Sequence, residues 1–221
     1  MKTIILFLLT AITAYSQEFA KDPRSQLQKE DTNDLYSINE ITELDIVEAL
    51  GLAGIQIHKF DLGEFDEKYD LHLFADEYVH GKLVKTDTLL AYHNQYHYFL
   101  EGKEEPSSDY IDQIKIFTRT DENTSTLLIR TYVLATQKEI GLSKLDNQQF
   151  FLWREYKETA WKPNQKIPLM VFASSWLDKK YNFHRFCGVA KLSEGDEGTD
   201  ELLNSSPNYI VINYKVSEPN L

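Results

Sequence analysis

From residue 55 onward, apolar and polar positions alternate in short runs. The segment from Ile55 through Ile57 to Phe60 shows it, and Tyr69, Leu71 and Leu73 alternate with Asp70 and His72. The two cleanest stretches are Leu127, Ile129, Thr131, Val133 and Ile210, Ile212, Tyr214, Val216. A period of two is the mark of a strand with one buried face. Further strands are expected at 95–101, 110–119, 126–135, 148–158, 167–176, 181–190 and 208–216. His80-Gly81 reads as a two-residue hairpin turn, because glycine adopts positive φ without steric cost. A hairpin closed there sets Asp76 opposite Lys85, a favourable charge pair. There is no alternation of strand and helix signals. About ten short strands separated by turns predict an all-β fold, an antiparallel β-sandwich.

One helix precedes the strands. Thr42 is placed as its N-cap with Asp45 as reciprocal partner, Ile41 and Ile46 sit at staple positions, and Gly51 can end it. The spacing predicts a short N-terminal helix over 43–50. Residues 17–36 are polar and without period, which suits a flexible leader.

The chain opens Met1-Lys2, followed by an apolar run over 4–14 interrupted only by Thr10 and Thr13. A bilayer-spanning helix needs about 20 apolar residues, so this run fits the core of a secretory signal. Ala14-Tyr15-Ser16 supplies small residues where a signal peptidase reads, and cleavage between Ser16 and Gln17 is expected. No cysteine follows the apolar run, so a lipid anchor is not expected. The organisation is then a signal peptide at 1–16, a leader at 17–36 and one β-rich domain at 37–221. The domain is expected in the periplasm or outside the cell, with no membrane insertion after cleavage.

Charge narrows the partners. The formal net charge is −12, and removing Lys2 with the signal makes it one unit more negative. Nucleic acid and anionic membranes need positive charge facing them, so neither is expected as a partner. A single cysteine, Cys187, excludes an internal disulfide. Strand parity groups it with Tyr181, Phe183 and Val189, as a buried thiol rather than a nucleophile.

Candidate chemistry is sparse. His93 and His97 form an H-x₃-H pair that could bind zinc on a helix; in strands, they meet only across a hairpin end. Calcium takes six to eight oxygens. Two acidic clusters could offer some: Asp61, Glu64, Asp66 and Asp70, and a late loop over 193–208 with Asp196, Glu197, Asp200 and Glu201. Neither has EF-hand spacing, and solvated loops are the ordinary reading of both. Trp161, in a loop ending Lys162-Pro163, is the candidate for stacking on a sugar ring, while Trp153 and Trp176 read as core. The chain contains no G-x-S-x-G, S-x-x-K, Walker or G-x-G-x-x-G motif, so no catalytic or cofactor-binding residue is assigned.

The stretch from Asp45 to Gly63 and the following Tyr69 to Val79 resemble an uncharacterised family of exported proteins from gut Bacteroides, as does the Ser16-Gln17 junction. The resemblance covers most of residues 17–221. It implies a periplasmic or surface location and carries over no functional residue. Asp87-Thr88-Leu89 is similar to the O-glycosylation tripeptide of those bacteria, with Thr88 the acceptor.

Export, acidity and aromatic content together point to a non-catalytic binding or interaction module, with a glycan or a cell-envelope protein as its partner. Two other readings stay open. One is a polysaccharide-acting hydrolase with a carboxylate pair; the other is a purely structural envelope protein.

Overall fold

A computed structural model describes residues 41–186 and 188–219. The signal segment, the leader, the Ser16-Gln17 junction and Cys187 lie outside the described residues.

The helix, α1 (Glu43–Leu52), starts where Thr42 and Asp45 place it but runs through Gly51, ending in a C-cap at Ala53. The Asp45 backbone N–H donates to Thr42 Oγ1 at 3.4 Å, and the Thr42 N–H donates to Asp45 Oδ2 at 2.7 Å. The Thr42 N–H, and then the Thr42 hydroxyl donating to Oδ2 at 2.8 Å, hold the Asp45 carboxyl below its ordinary range. The chain divides into two compact units after Ala53, and α1 belongs to the first.

All the strands among the described residues belong to the second unit. They are β1 (Ile55–Asp61), β2 (Asp70–Val79), β3 (Lys82–His93), β4 (Gln95–Tyr98), β5 (Ser107–Tyr110), β6 (Gln113–Asp121), β7 (Thr124–Arg130), β8 (Ala135–Gly141), β9 (Phe151–Tyr156), β10 (Lys166–Ser174), β11 (Trp176–Asp178), β12 (Phe183–Arg185), β13 (Lys191–Leu192) and β14 (Asn208–Ser217). A second helix, α2 (Glu197–Ser205), precedes β14. One sheet runs β1-β6-β7-β8, the other β13-β9-β10-β14-β2-β3, and β4-β5 and β11-β12 are two-stranded ribbons. The expected sandwich is present, built from more and shorter strands than the alternation suggests. The pairing is antiparallel throughout except for β13 against β9.

One core joins the two large sheets. Ile114, Ile116, Leu127 and Ile129 of the first meet Leu71, Leu73, Phe172, Ile212 and Tyr214 of the second. Each such side chain contributes roughly 1.5–3 kcal/mol by leaving water. The larger sheet is also covered on its outer face at one end, where Tyr156, Val171, Ala173 and Tyr209 pack with Leu192 and Leu202. Burial on both faces explains the unbroken apolar run in β10, which no alternation could have revealed.

Four sequence expectations are corrected. The His80-Gly81 turn forms, with φ of 48° and 72°, but a bulge follows, so Glu77 faces Lys85 and Asp76 faces Thr86. A one-residue slip of this kind is what a bulge inserts. Strand β7 stops at Arg130, because the Thr131 hydroxyl turns the chain by accepting from the backbone N–H groups of Val133 and Leu134. The acidic loop over 193–208 contains α2: Asp196 caps it, accepting from the Gly198 N–H at 3.1 Å, and Leu202 is fully buried. The strand expected over 181–190 shrinks to β12, and Tyr181 and Phe183 are exposed, so the parity that grouped Cys187 with a core set does not hold.

Candidate functional site

One end of the sandwich gathers segments 62–69, 92–100, 107–112, 131–134 and 159–165. Asn94, fully buried between β3 and β4, fastens three of them. Its N–H donates to Tyr69 O at 2.9 Å, and its carbonyl accepts from Ile111 N–H at 2.7 Å. Its side chain accepts from Tyr69 N–H at 2.8 Å and donates to Glu67 O at 3.2 Å. Two backbone and two side-chain bonds from this one residue satisfy four backbone groups, so the chain bends out of the larger sheet without leaving them orphaned.

Trp161 lies at this end, half-buried. Its ring stacks on Phe65 at 5.0 Å and tilts against Tyr69 at 5.0 Å, while Nε1 donates to Glu64 O at 3.0 Å. Gly63, at φ 90°, passes close beneath the indole. The first acidic cluster is here too, with Glu67 beside it. Asp61 Oδ1 accepts from Gly63 N–H at 2.9 Å, and Glu67 accepts from the Tyr69 hydroxyl at 2.8 Å. That last bond, with burial, pushes the Tyr69 phenol up to about 12.

The exposed surface of this end is aromatic. Tyr132 stands on the turn that Thr131 makes and is 58% exposed. Its ring lies 5.7 Å from that of Tyr96, and Tyr96 lies 6.0 Å from Tyr98. Tyr92, Phe99 and Leu100 extend the exposed apolar area. Carboxylates line the hydroxyl side of this row. Tyr96 donates to Asp109 Oδ2 at 3.4 Å. Partial burial, then Asp109 for Tyr96 and Asp112 for Tyr132, pushes both phenols above their ordinary range. Both therefore remain donors at neutral pH. Asp112 Oδ1 and His93 Nδ1 are buried with no protein partner, two of five such atoms among the described side chains. Buried polar atoms normally have partners, so this end holds polar capacity that its own side chains leave open.

His93 and His97 do not form a hairpin end. They flank Asn94 on two strands of different sheets, with His93 paired to Asp70 and His97 to Ser108. His97 Nδ1 is 2.8 Å from Ser108 Oγ. Asp196 and Asp200 lie far along the chain in α2, where Asp196 is spent on the cap and accepts Asp200 N–H at 3.0 Å. Among the described residues no group of three or more metal-ligating side chains comes together. Thr88 is exposed on β3, the edge strand of the larger sheet. No helix among the described residues is long and apolar enough to cross a membrane.

Sequence reasoning missed the tyrosine row. Tyr96 and Tyr98 share a face of one strand, but Tyr132 joins them only through a turn that reads in sequence as continued alternation.

Residues 25–218 match the model of a family described as a domain of unknown function, DUF5041. The chain belongs to that family. The match agrees with the resemblance to an uncharacterised domain and attaches no activity to any residue. Neither the curated proteins nor the solved structures searched gave a match.

Proposed function

We propose that this DUF5041 chain is a non-catalytic binding module and that the Tyr132-Tyr96-Tyr98 row is its contact surface for a glycan. The observation that carries the reading is the pairing of exposed aromatic rings with carboxylates at one end of a rigid sandwich. Aromatic faces cover the C–H faces of sugar rings, and carboxylates accept from sugar hydroxyls. Tyrosine supplies contact area at low conformational cost. The segments are fastened by buried bonds, so little ordering is left for the binding step. The acidic surface favours neutral glycans over anionic ones. In this reading the chain is cleaved after Ser16 and released, without a lipid anchor, into the periplasm or onto the surface of a Bacteroides-like cell.

A glycan array probed with residues 17–221 tests the ligand class. Binding to neutral polysaccharides that disappears in Tyr132→Ala supports the proposal; an array without signal contradicts it. Export has its own check. The proposal expects N-terminal sequencing of the protein from the cell envelope to begin at Gln17, and an intact Met1 in the cytoplasm would overturn it.

A further inference from the structure

A concavity of about 640 Å³ lies between the 144–148 loop and the β11-β12 hairpin. That size falls in the usual range for small-ligand sites, roughly 300–1,000 Å³. An aspartate and a histidine of its wall stand in line with a serine buried behind them. His184 Nε2 faces Asp146 Oδ2 at 3.4 Å, and His184 Nδ1 faces Ser175 Oγ at 3.3 Å. A carboxylate only accepts, so Nε2 carries the proton. In the neutral ring Nδ1 then accepts from the Ser175 hydroxyl. The composition is that of a nucleophile relay, but the burial is not. Ser175 is fully buried, and its oxygen already accepts from Phe150 N–H at 3.0 Å. The relay therefore fixes the imidazole and the carboxylate in place, and no substrate reaches the hydroxyl.

What faces the concavity is Asp146, His184, Asn147, Gln148 and Asn182, with Leu177 as an exposed apolar surface. Lys144, at its margin, pairs with Glu122 at 3.1 Å. The loop is rigid. Buried Gln149 accepts from the N–H groups of Leu145 and Asp146 at 2.7 and 3.2 Å, and Gln148 N–H donates to Asp146 Oδ1 at 2.8 Å. That last bond, with His184 behind it, holds the Asp146 carboxyl below its ordinary range, so the acid is ionised at neutral pH.

We infer that this concavity is a binding site for one neutral sugar ring. A carboxylate offers acceptors, and three amides offer both donors and acceptors. A hydroxyl, which donates and accepts, is the ligand group that matches such a set. Leu177 covers the C–H face of the ring. An anionic ligand is excluded by Asp146, whose neighbouring cation is already paired. None of these residues belongs to the tyrosine row, so either site can fail without the other.

The test is a titration of the whole exported chain, followed by NMR at the side-chain amide signals of Asn147, Gln148 and Asn182. The probes are glucose, galactose, mannose and N-acetylglucosamine, with glucuronate as the charged control. The expected result is that at least one neutral sugar shifts these signals. Gln148→Ala and Asp146→Asn should each weaken it about tenfold, the usual cost of a lost ligand hydrogen bond. Tyr132→Ala should leave it unchanged. The inference is overturned if none of the four sugars moves these signals or if glucuronate binds equally well. It is also overturned if a variant with native circular dichroism binds as tightly as the parent.

Discussion

Two regions of the molecule collect acids beside aromatic rings, and they use them in opposite ways. On the outer face of the larger sheet, Asp76 is only 3% exposed and saturated with donors. Lys166 Nζ donates at 2.7 and 3.0 Å, the Thr86 hydroxyl at 2.6 Å and Asn213 Nδ2 at 2.9 Å. The Lys166 ammonium also lies 4.7 Å over the Phe74 ring. At the tyrosine end, the exposed carboxylates of Glu67 and Asp109 accept from the phenols of Tyr69 and Tyr96, and the Tyr98 and Tyr132 rings face solvent. The first arrangement spends its chemistry on holding strands together. The second holds itself together through backbone groups and leaves its side chains open. A saturated acid is framework; an open aromatic row on a fastened scaffold is a contact surface.

The comparison can be broken most sharply at Asp76. Asp76→Ala takes the acceptor from Lys166, Thr86 and Asn213; the first two can turn to solvent, but the buried Asn213 amide is orphaned, and losing these bonds to a charged group costs about 3 kcal/mol. Chemical denaturation should show that loss with no change in glycan binding; a loss below about 1 kcal/mol would contradict the framework role. Acid titration addresses the same group. Burial alone would raise the Asp76 carboxyl, but hydrogen bonds from Lys166, Thr86 and Asn213 outweigh it and hold it below its ordinary range. A depressed carboxyl stabilises the fold above its unfolded value, about 3.9, and the contribution fades as pH falls through the lower folded value. Stability measured from pH 5 downward should therefore decline, and Asp76→Asn should decline less steeply.

Asn94→Ala comes next. It removes two side-chain bonds to backbone groups at a fully buried position, a loss of about 2–3 kcal/mol. It should also expose segment 62–69 to protease cleavage and weaken glycan binding, because the surface loses its scaffold. A variant that melts normally and binds normally would show that the end does not depend on this clamp.

The legibility of the fold follows the same division. Strands buried on one face, such as β6 and β7, are written in their alternation. The capping box of α1 is written in Thr42 and Asp45. Strand β10, covered on both faces, carries no alternation and shows as an unbroken apolar run, expected at 167–176 and found at Lys166–Ser174. The Asp76 centre escaped notice because a bulge after Glu77 shifts the register by one residue and exchanges Lys85 for Thr86. Lys166 reaches it from 90 residues away in sequence. The tyrosine end was half legible. Trp161, His93, His97 and the Asp61 cluster all fall there, but what unites them is Asn94, which in sequence is one amide in a presumed loop.

Tyr132→Ala should have the smallest effect on stability, within about 0.5 kcal/mol for an exposed side chain, and a large effect on binding. The most direct measurement is calorimetric titration of a neutral glycan selected on the array, into the parent chain and into the Tyr96→Ala, Tyr132→Ala double variant. The tyrosine row as contact surface predicts at least a hundredfold loss of affinity, about 2.7 kcal/mol, with circular dichroism unchanged. Equal affinity in the two proteins would contradict it.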